Sequence, residues 1–165
     1  MRTMRHTQIQ TALRAVATLL SVLVPLYSPA RADSYGHIQG SGEKSENQIE
    51  AEKHMVLGEW KEALPFLEAR AAGYPAEIET VADLGHVYLK IGDLEQAIEK
   101  LKLAVDLDPR HLEANLYLGE AYLASGDLPH AQQNLAALDK ICTFGCGEYT
   151  TLKKDIADYK AAKGL

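Results

Sequence analysis

Gly58, Gly92 and Gly126 stand 34 residues apart. Ala63, Ala97 and Ala131 keep the same step five residues later, and Pro75 and Pro109 keep it as well. A fixed period of this length is the signature of one supersecondary unit copied in tandem, each copy burying its apolar face against its neighbours. The period therefore restricts the chain to a linear array before any single helix or turn is assigned. Aligning the glycines gives blocks 44–77, 78–111 and 112–145. Each has room for two helices of about 13 residues and a tight turn between them.

The second block shows how the unit works. Val81, Leu84, Gly85 and Tyr88 fall on one face of a first helix. Gly92-Asp93 ends that helix and caps the next, since glycine tolerates the left-handed turn and aspartate accepts the orphan N–H groups. Ala97, Leu101 and Ala104 line a second helix, and Pro109 stops it. The small Gly85 and Ala97 are expected where the two helices cross. The third block repeats the pattern with Leu118, Gly119, Tyr122, Gly126-Asp127, Ala131, Leu135 and Leu138, but has Thr143 in place of the closing proline. The first block keeps Ala51, Gly58, Ala63, Leu67 and Pro75, yet has Glu50 and His54 where Leu84 and Tyr88 stand in the second. A degenerate outer unit is expected at the end of an array, because its outer face meets water.

These small, large and turn positions resemble the tetratricopeptide repeat family across residues 44–145. The resemblance implies an all-α fold, a right-handed superhelix of three helix–turn–helix repeats. A further amphipathic helix is expected in residues 146–165, where Tyr149, Leu152, Ile156 and Tyr159 fall at i, i+3, i+7 and i+10. It reads as a cap closing the third repeat's apolar face, with Lys153, Lys154, Asp155 and Lys160 off the stripe.

The resemblance also implies a concave groove lined by the first helix of each repeat, at the second, fifth, ninth, twelfth and thirteenth positions of each block. In the first block these are Ser45, Gln48, Glu52, Met55 and Val56. In the second they are Glu79, Ala82, His86, Leu89 and Lys90, and in the third Glu113, Leu116, Glu120, Leu123 and Ala124. Glu52, His86 and Glu120 are expected to form a ladder, flanked by Glu79 and Glu113, with Met55, Leu89, Leu116 and Leu123 as apolar ground. Some members of the family clamp a C-terminal carboxylate with Lys, Arg and Asn in this groove; only Lys90 of such a set is present here. The expected ligand is instead a basic or amphipathic protein segment, which complements acid interrupted by apolar patches.

Cys142 and Cys146 are the only cysteines. In an exported protein such a pair points to a disulfide, and Phe144-Gly145 breaks the helix so that the sulfurs can meet. Two alternatives stay open at this level: a soft metal on two reduced thiolates, or thiol redox chemistry. The redox reading lacks the usual two-residue spacing. The histidines make no metal-binding spacing with acids, and no nucleophile elbow or phosphate loop occurs. No cofactor, no metal and no catalysis are therefore expected.

Arg2, Arg5 and Arg14 precede an apolar run from Ala15 to Tyr27, followed by Ala30-Arg31-Ala32. This is the pattern of a signal peptide over residues 1–32, with cleavage before Asp33; the run is shorter than the roughly 20 residues a bilayer span needs, and the alternative reading is an uncleaved anchor. Residues 33–43 are rich in Gly and Ser and read as a flexible leader. No second apolar segment follows, so no membrane span is expected after cleavage. Residues 1–32 hold four arginines and no acid, so their removal takes the formal charge from −6 to −10. Such a chain repels phosphate backbones and is an unsuitable partner for nucleic acid. The expectation is a periplasmic adaptor that holds a protein or peptide, with secretion beyond the cell as a variant. The competing readings are a thiol- or metal-handling factor acting through Cys142 and Cys146, and self-association by end-to-end stacking of the repeats.

Overall fold

The alternation of 3.6-residue periodicity with Gly-Asp or Gly-Glu breaks yields hairpins of helices. The computed structural model describes residues 44–165, so the signal peptide expected at 1–32 and the leader at 33–43 lie outside the described residues. Among the described residues are seven helices and no strand: α1 (Glu46–Leu57), α2 (Trp60–Gly73), α3 (Ile78–Ile91), α4 (Leu94–Leu107), α5 (Leu112–Ser125), α6 (Leu128–Ile141) and α7 (Gly147–Lys163). The first six pair as α1–α2, α3–α4 and α5–α6, one pair per 34-residue block. The fold is an all-α helical repeat. None of the described helices is long and apolar enough to cross a membrane.

The turn glycines do what their spacing predicts. Gly58, Gly92 and Gly126 have φ of 73°, 87° and 87°, which an L side chain adopts only with strain. The next residue in each turn then donates its backbone N–H to the carbonyl of His54, Tyr88 or Tyr122, at 2.9, 3.0 and 2.7 Å. This 6→1 bond satisfies a carbonyl the helix end leaves open. Asp93 and Asp127 start the following helices by accepting from the backbone N–H of Gln96 and His130, each at 3.2 Å. Glu59, at the corresponding place in the first block, makes no such cap; its carboxylate takes His54 Nδ1 at 2.7 Å instead.

The core is a row of small clusters, each joining one repeat to the next. Ala51, Ala63, Leu67, Leu84 and Val87 join the first to the second. Val81, Ala82, Ala104 and Ala114, together with Ala97, Leu101, Leu118 and Ala121, join the second to the third. Leu123, Ala131, Leu138, Leu152 and Ile156 join the third to α7, which is the cap the amphipathic stripe predicts. Leu67, Leu101, Leu138 and Leu152 are fully buried, and each such side chain contributes about 1.5–3 kcal/mol. Among the described residues α1 buries only Ala51 and leaves Ile49 and Leu57 half or more exposed, as expected of a degenerate outer helix.

Close approach depends on two glycines. A Cβ at Gly85 would lie 2.4 Å from Leu101 Cγ, so α3 and α4 cross where the sequence places the small residue. A Cβ at Gly119 would lie 2.5 Å from Leu152 Cδ2, and Leu152 belongs to α7. The cap thus presses a leucine onto the third repeat's glycine. A disulfide joins Cys142, which closes α6, to Cys146, which precedes α7, with Cα atoms 5.6 Å apart. It stands at the junction that lacks the closing proline.

A polar knot ties the first repeat to the second. The Arg70 side chain is 12% exposed and forks onto Glu77. It also donates to Thr80 Oγ1 at 2.9 Å and to Ser45 Oγ, so one guanidinium links α2, α3 and the start of α1. This pairing holds the Glu77 carboxyl below the usual glutamate range.

Candidate functional site

Between α1 and α3 lies an open cleft of about 490 Å³, lined by Lys44, Gln48, Glu52, Met55, Val56, Glu79 and Asp83. Helical geometry assembles it. Gln48, Glu52, Met55 and Val56 are spaced i, i+4, i+7 and i+8 on α1, and Glu79 and Asp83 are i and i+4 on α3. Three carboxylates therefore face two apolar side chains, Val56, which is 86% exposed, and Met55, which is partly buried. Lys44 precedes the helix and reaches forward along it to donate to Glu52 Oε1 at 2.6 Å. Gln48 Nε2 donates to the same oxygen at 3.3 Å.

Asp83 is the most perturbed acid of the cleft. Burial, reinforced by Glu79 and Glu52, pushes its carboxyl up to about 7, against the pull of His111 and Lys44. His111, from the start of the third repeat, contacts one of the cleft's acids. Its Nδ1 accepts the backbone N–H of Ala114 at 3.2 Å and so caps α5. The ring proton then sits on Nε2 and is donated to Glu79 Oε2 at 3.3 Å.

Farther along, the groove is filled by its own side chains. The His86 ring stacks on Tyr117, centroids 3.8 Å apart and planes 6° apart, and Trp60 lies 5.3 Å away on a tilted plane. Burial first, and then Lys90, lowers the His86 pKa to about 4, so the ring is neutral at physiological pH. Glu120 is half-buried; burial raises its pKa, Lys90 opposes the shift, and Asp155 of α7 adds to it.

The structure thus brings Gln48, Glu52, Met55, Val56 and Glu79 together, and separates them from much of the expected groove. Ser45 is engaged as the N-cap of α1 and by Arg70. Ala82 is buried against the third repeat, and Leu89 packs on the cluster around Leu101. Leu123 is 9% exposed and, with Leu116 packed beside it, belongs to the cluster under α7. Leu123 is therefore a core residue rather than open apolar ground, while Leu116 is partly buried against the same cluster. The expected ladder of Glu52, His86 and Glu120 is interrupted at His86 by the aromatic stack. Lys90, Glu113 and Ala124 are exposed, with Glu113 3.6 Å from His111 Nδ1. Sequence reasoning missed Asp83, Lys44 and His111. Asp83 was within reach, since it lies one turn beyond Glu79 on the same face; the contacts of Lys44 and His111 depend on how the chain enters α1 and α5.

Residues 85–126, from the middle of α3 to the turn after α5, match the family model described as TPR repeat. No curated protein matches the chain. Similar solved structures include the second TPR domain of human RPAP3 in complex with an HSP70 peptide. It has a TM-score of 0.61 and 22% identity, covering 67% of this chain and 92% of that one. The type III secretion chaperone SycD of Yersinia enterocolitica, in complex with a peptide of the translocator YopD, has a TM-score of 0.59 and 17% identity, covering 73% and 95%. A thermophilic TPR protein of Thermus thermophilus has a TM-score of 0.60 and 25% identity, covering 69% and 62%. The fold is that of tetratricopeptide repeat proteins.

Proposed function

We propose that this chain is a non-catalytic member of the tetratricopeptide repeat family that acts in the cell envelope. It holds a basic or amphipathic protein segment in the cleft between α1 and α3. The observation that carries the reading is the cleft itself, where Glu52, Glu79 and Asp83 face exposed Val56 and partly buried Met55. A segment with cations on one side and an apolar residue on the other complements both parts. Two similar folds, RPAP3 and SycD, were solved with peptides, which supports a peptide-sized ligand. Export rests on Arg2, Arg5, Arg14 and the Ala30-Arg31-Ala32 site; mass spectrometry of the protein from a periplasmic fraction should find Asp33 at the N-terminus.

The test of the groove is a comparison of baits in envelope extract: wild type against the Glu52→Lys/Glu79→Lys double variant. A protein captured by the first and lost with the second supports the reading, and its binding should weaken as salt rises. Identical capture by both removes the cleft from the function. The metal alternative is weakened by the disulfide, which leaves neither cysteine as a thiolate. Self-association remains a second reading because Ile49 and Leu57 of α1 are 51% and 62% exposed at the open end of the array. Sedimentation over a range of concentrations tests it, with Ile49→Ser/Leu57→Ser expected to abolish any dimer.

A further inference from the structure

Lys44 occupies the cleft in a way its position does not require. It stands outside α1, one residue before the N-cap Ser45. Its ammonium extends past two helical turns to sit on the Glu52 carboxylate, with Gln48 donating to the same group. Asp83 also feels its charge. The pair is exposed, the Lys44 side chain at 54%, so the contact is weak and easily exchanged. An aliphatic stem carrying one compact cation is thus already paired with one of the cleft's acids, Glu52.

We propose that Lys44 is a built-in surrogate for the partner, and that the cleft takes an aliphatic ammonium, such as a lysine side chain, in the place Lys44 now holds. This rests on the groove reading above and adds to it the chemistry of the ligand and a competitor in the chain itself. The partner's lysine displaces Lys44 from Glu52, and its stem lies along Met55 and Val56. Removing Lys44 therefore leaves the fold intact and strengthens binding.

The probe is a blocked pentapeptide, Ala-Ala-Lys-Ala-Ala, with its norleucine analogue as control, titrated by NMR into wild type and Lys44→Ala. The expected result is binding of the lysine peptide only, about two- to five-fold tighter in Lys44→Ala, the range an exposed ion pair supplies. Equal or weaker binding in Lys44→Ala overturns the proposal, as does equal binding of the norleucine peptide or no binding of either. The free protein gives a second readout. The Asp83 carboxyl, which faces Glu79, Glu52, His111 and Lys44, should titrate higher in Lys44→Ala; an unchanged midpoint means the ammonium does not sit in the cleft. The two failures are distinguishable. Capture lost with Glu52→Lys/Glu79→Lys, alongside an unchanged affinity in Lys44→Ala, keeps the groove and discards the surrogate.

Discussion

Asp83 and His86 lie three residues apart on α3 and are displaced in opposite senses, Asp83 upward from 3.8 to about 7 and His86 downward from 6.5 to about 4. A buried acid with a raised pKa binds its proton more tightly when folded. Its contribution is full below 3.8 and is lost as pH rises toward 7. A buried histidine with a lowered pKa does the reverse, so stability is lost as pH falls from 6.5 toward 4. In the window the two share, the effects oppose each other and the wild type should be nearly flat. Asp83→Asn should be more stable than wild type at pH 8, by roughly 1–3 kcal/mol, with the gain gone at pH 4. His86→Phe, which keeps the stack on Tyr117, should lose stability as pH rises from 4 to 7. Urea unfolding at three pH values checks both; parallel profiles for all three proteins would show that neither group is buried as described. His86 was legible as a groove position, but its neutrality was not, because that depends on Trp60 and Tyr117 arriving from two other helices.

At the scale of elements, the two crossing glycines are not equivalent. Replacing Gly85 by Ala brings its Cβ to 2.4 Å from a branch carbon of Leu101 and 3.1 Å from its backbone nitrogen. The contacts at Gly119 are with the Leu152 side chain alone. Overpacking a rigid crossing costs about 1–3 kcal/mol, against about 1 kcal/mol of helix propensity gained. Gly85→Ala should therefore lower the thermal midpoint more than Gly119→Ala, as differential scanning calorimetry can read. The α6–α7 junction is the other decisive element. Its five-residue loop predicts about 2 kcal/mol from the disulfide on chain-entropy grounds. Cys142→Ser/Cys146→Ser should lose that amount in urea, and a reductant should do the same to wild type while leaving the variant unchanged. The pairing was readable from two cysteines and a helix-breaking Phe-Gly. The cap's contact with Gly119 was not, since the period alone places Leu135 opposite that glycine, as Leu101 is opposite Gly85.

Across the whole molecule, each cluster touches only its neighbours, so the array is as stable as its ends allow. Deleting residues 147–165 would expose Leu123 and Leu138, buried at 9% and 0%. The truncated protein should bind a hydrophobic dye and unfold at lower urea than the full chain; unchanged unfolding would mean that α7 is not a cap. The 34-residue period determined the six repeat helices, their pairing and the turn glycines, and the apolar stripe of residues 149–159 the presence of a cap, because these follow from local spacing and from the need to bury one face of every helix. Tertiary structure alone decided which groove positions stay open. Leu123 is buried in the cluster under α7 with Leu116 partly covered beside it, His86 lies between aromatics, and Asp83 joins Glu52 and Glu79. Exposure is a property of what packs on top of a residue, and that cover comes from other helices, many residues away in the chain.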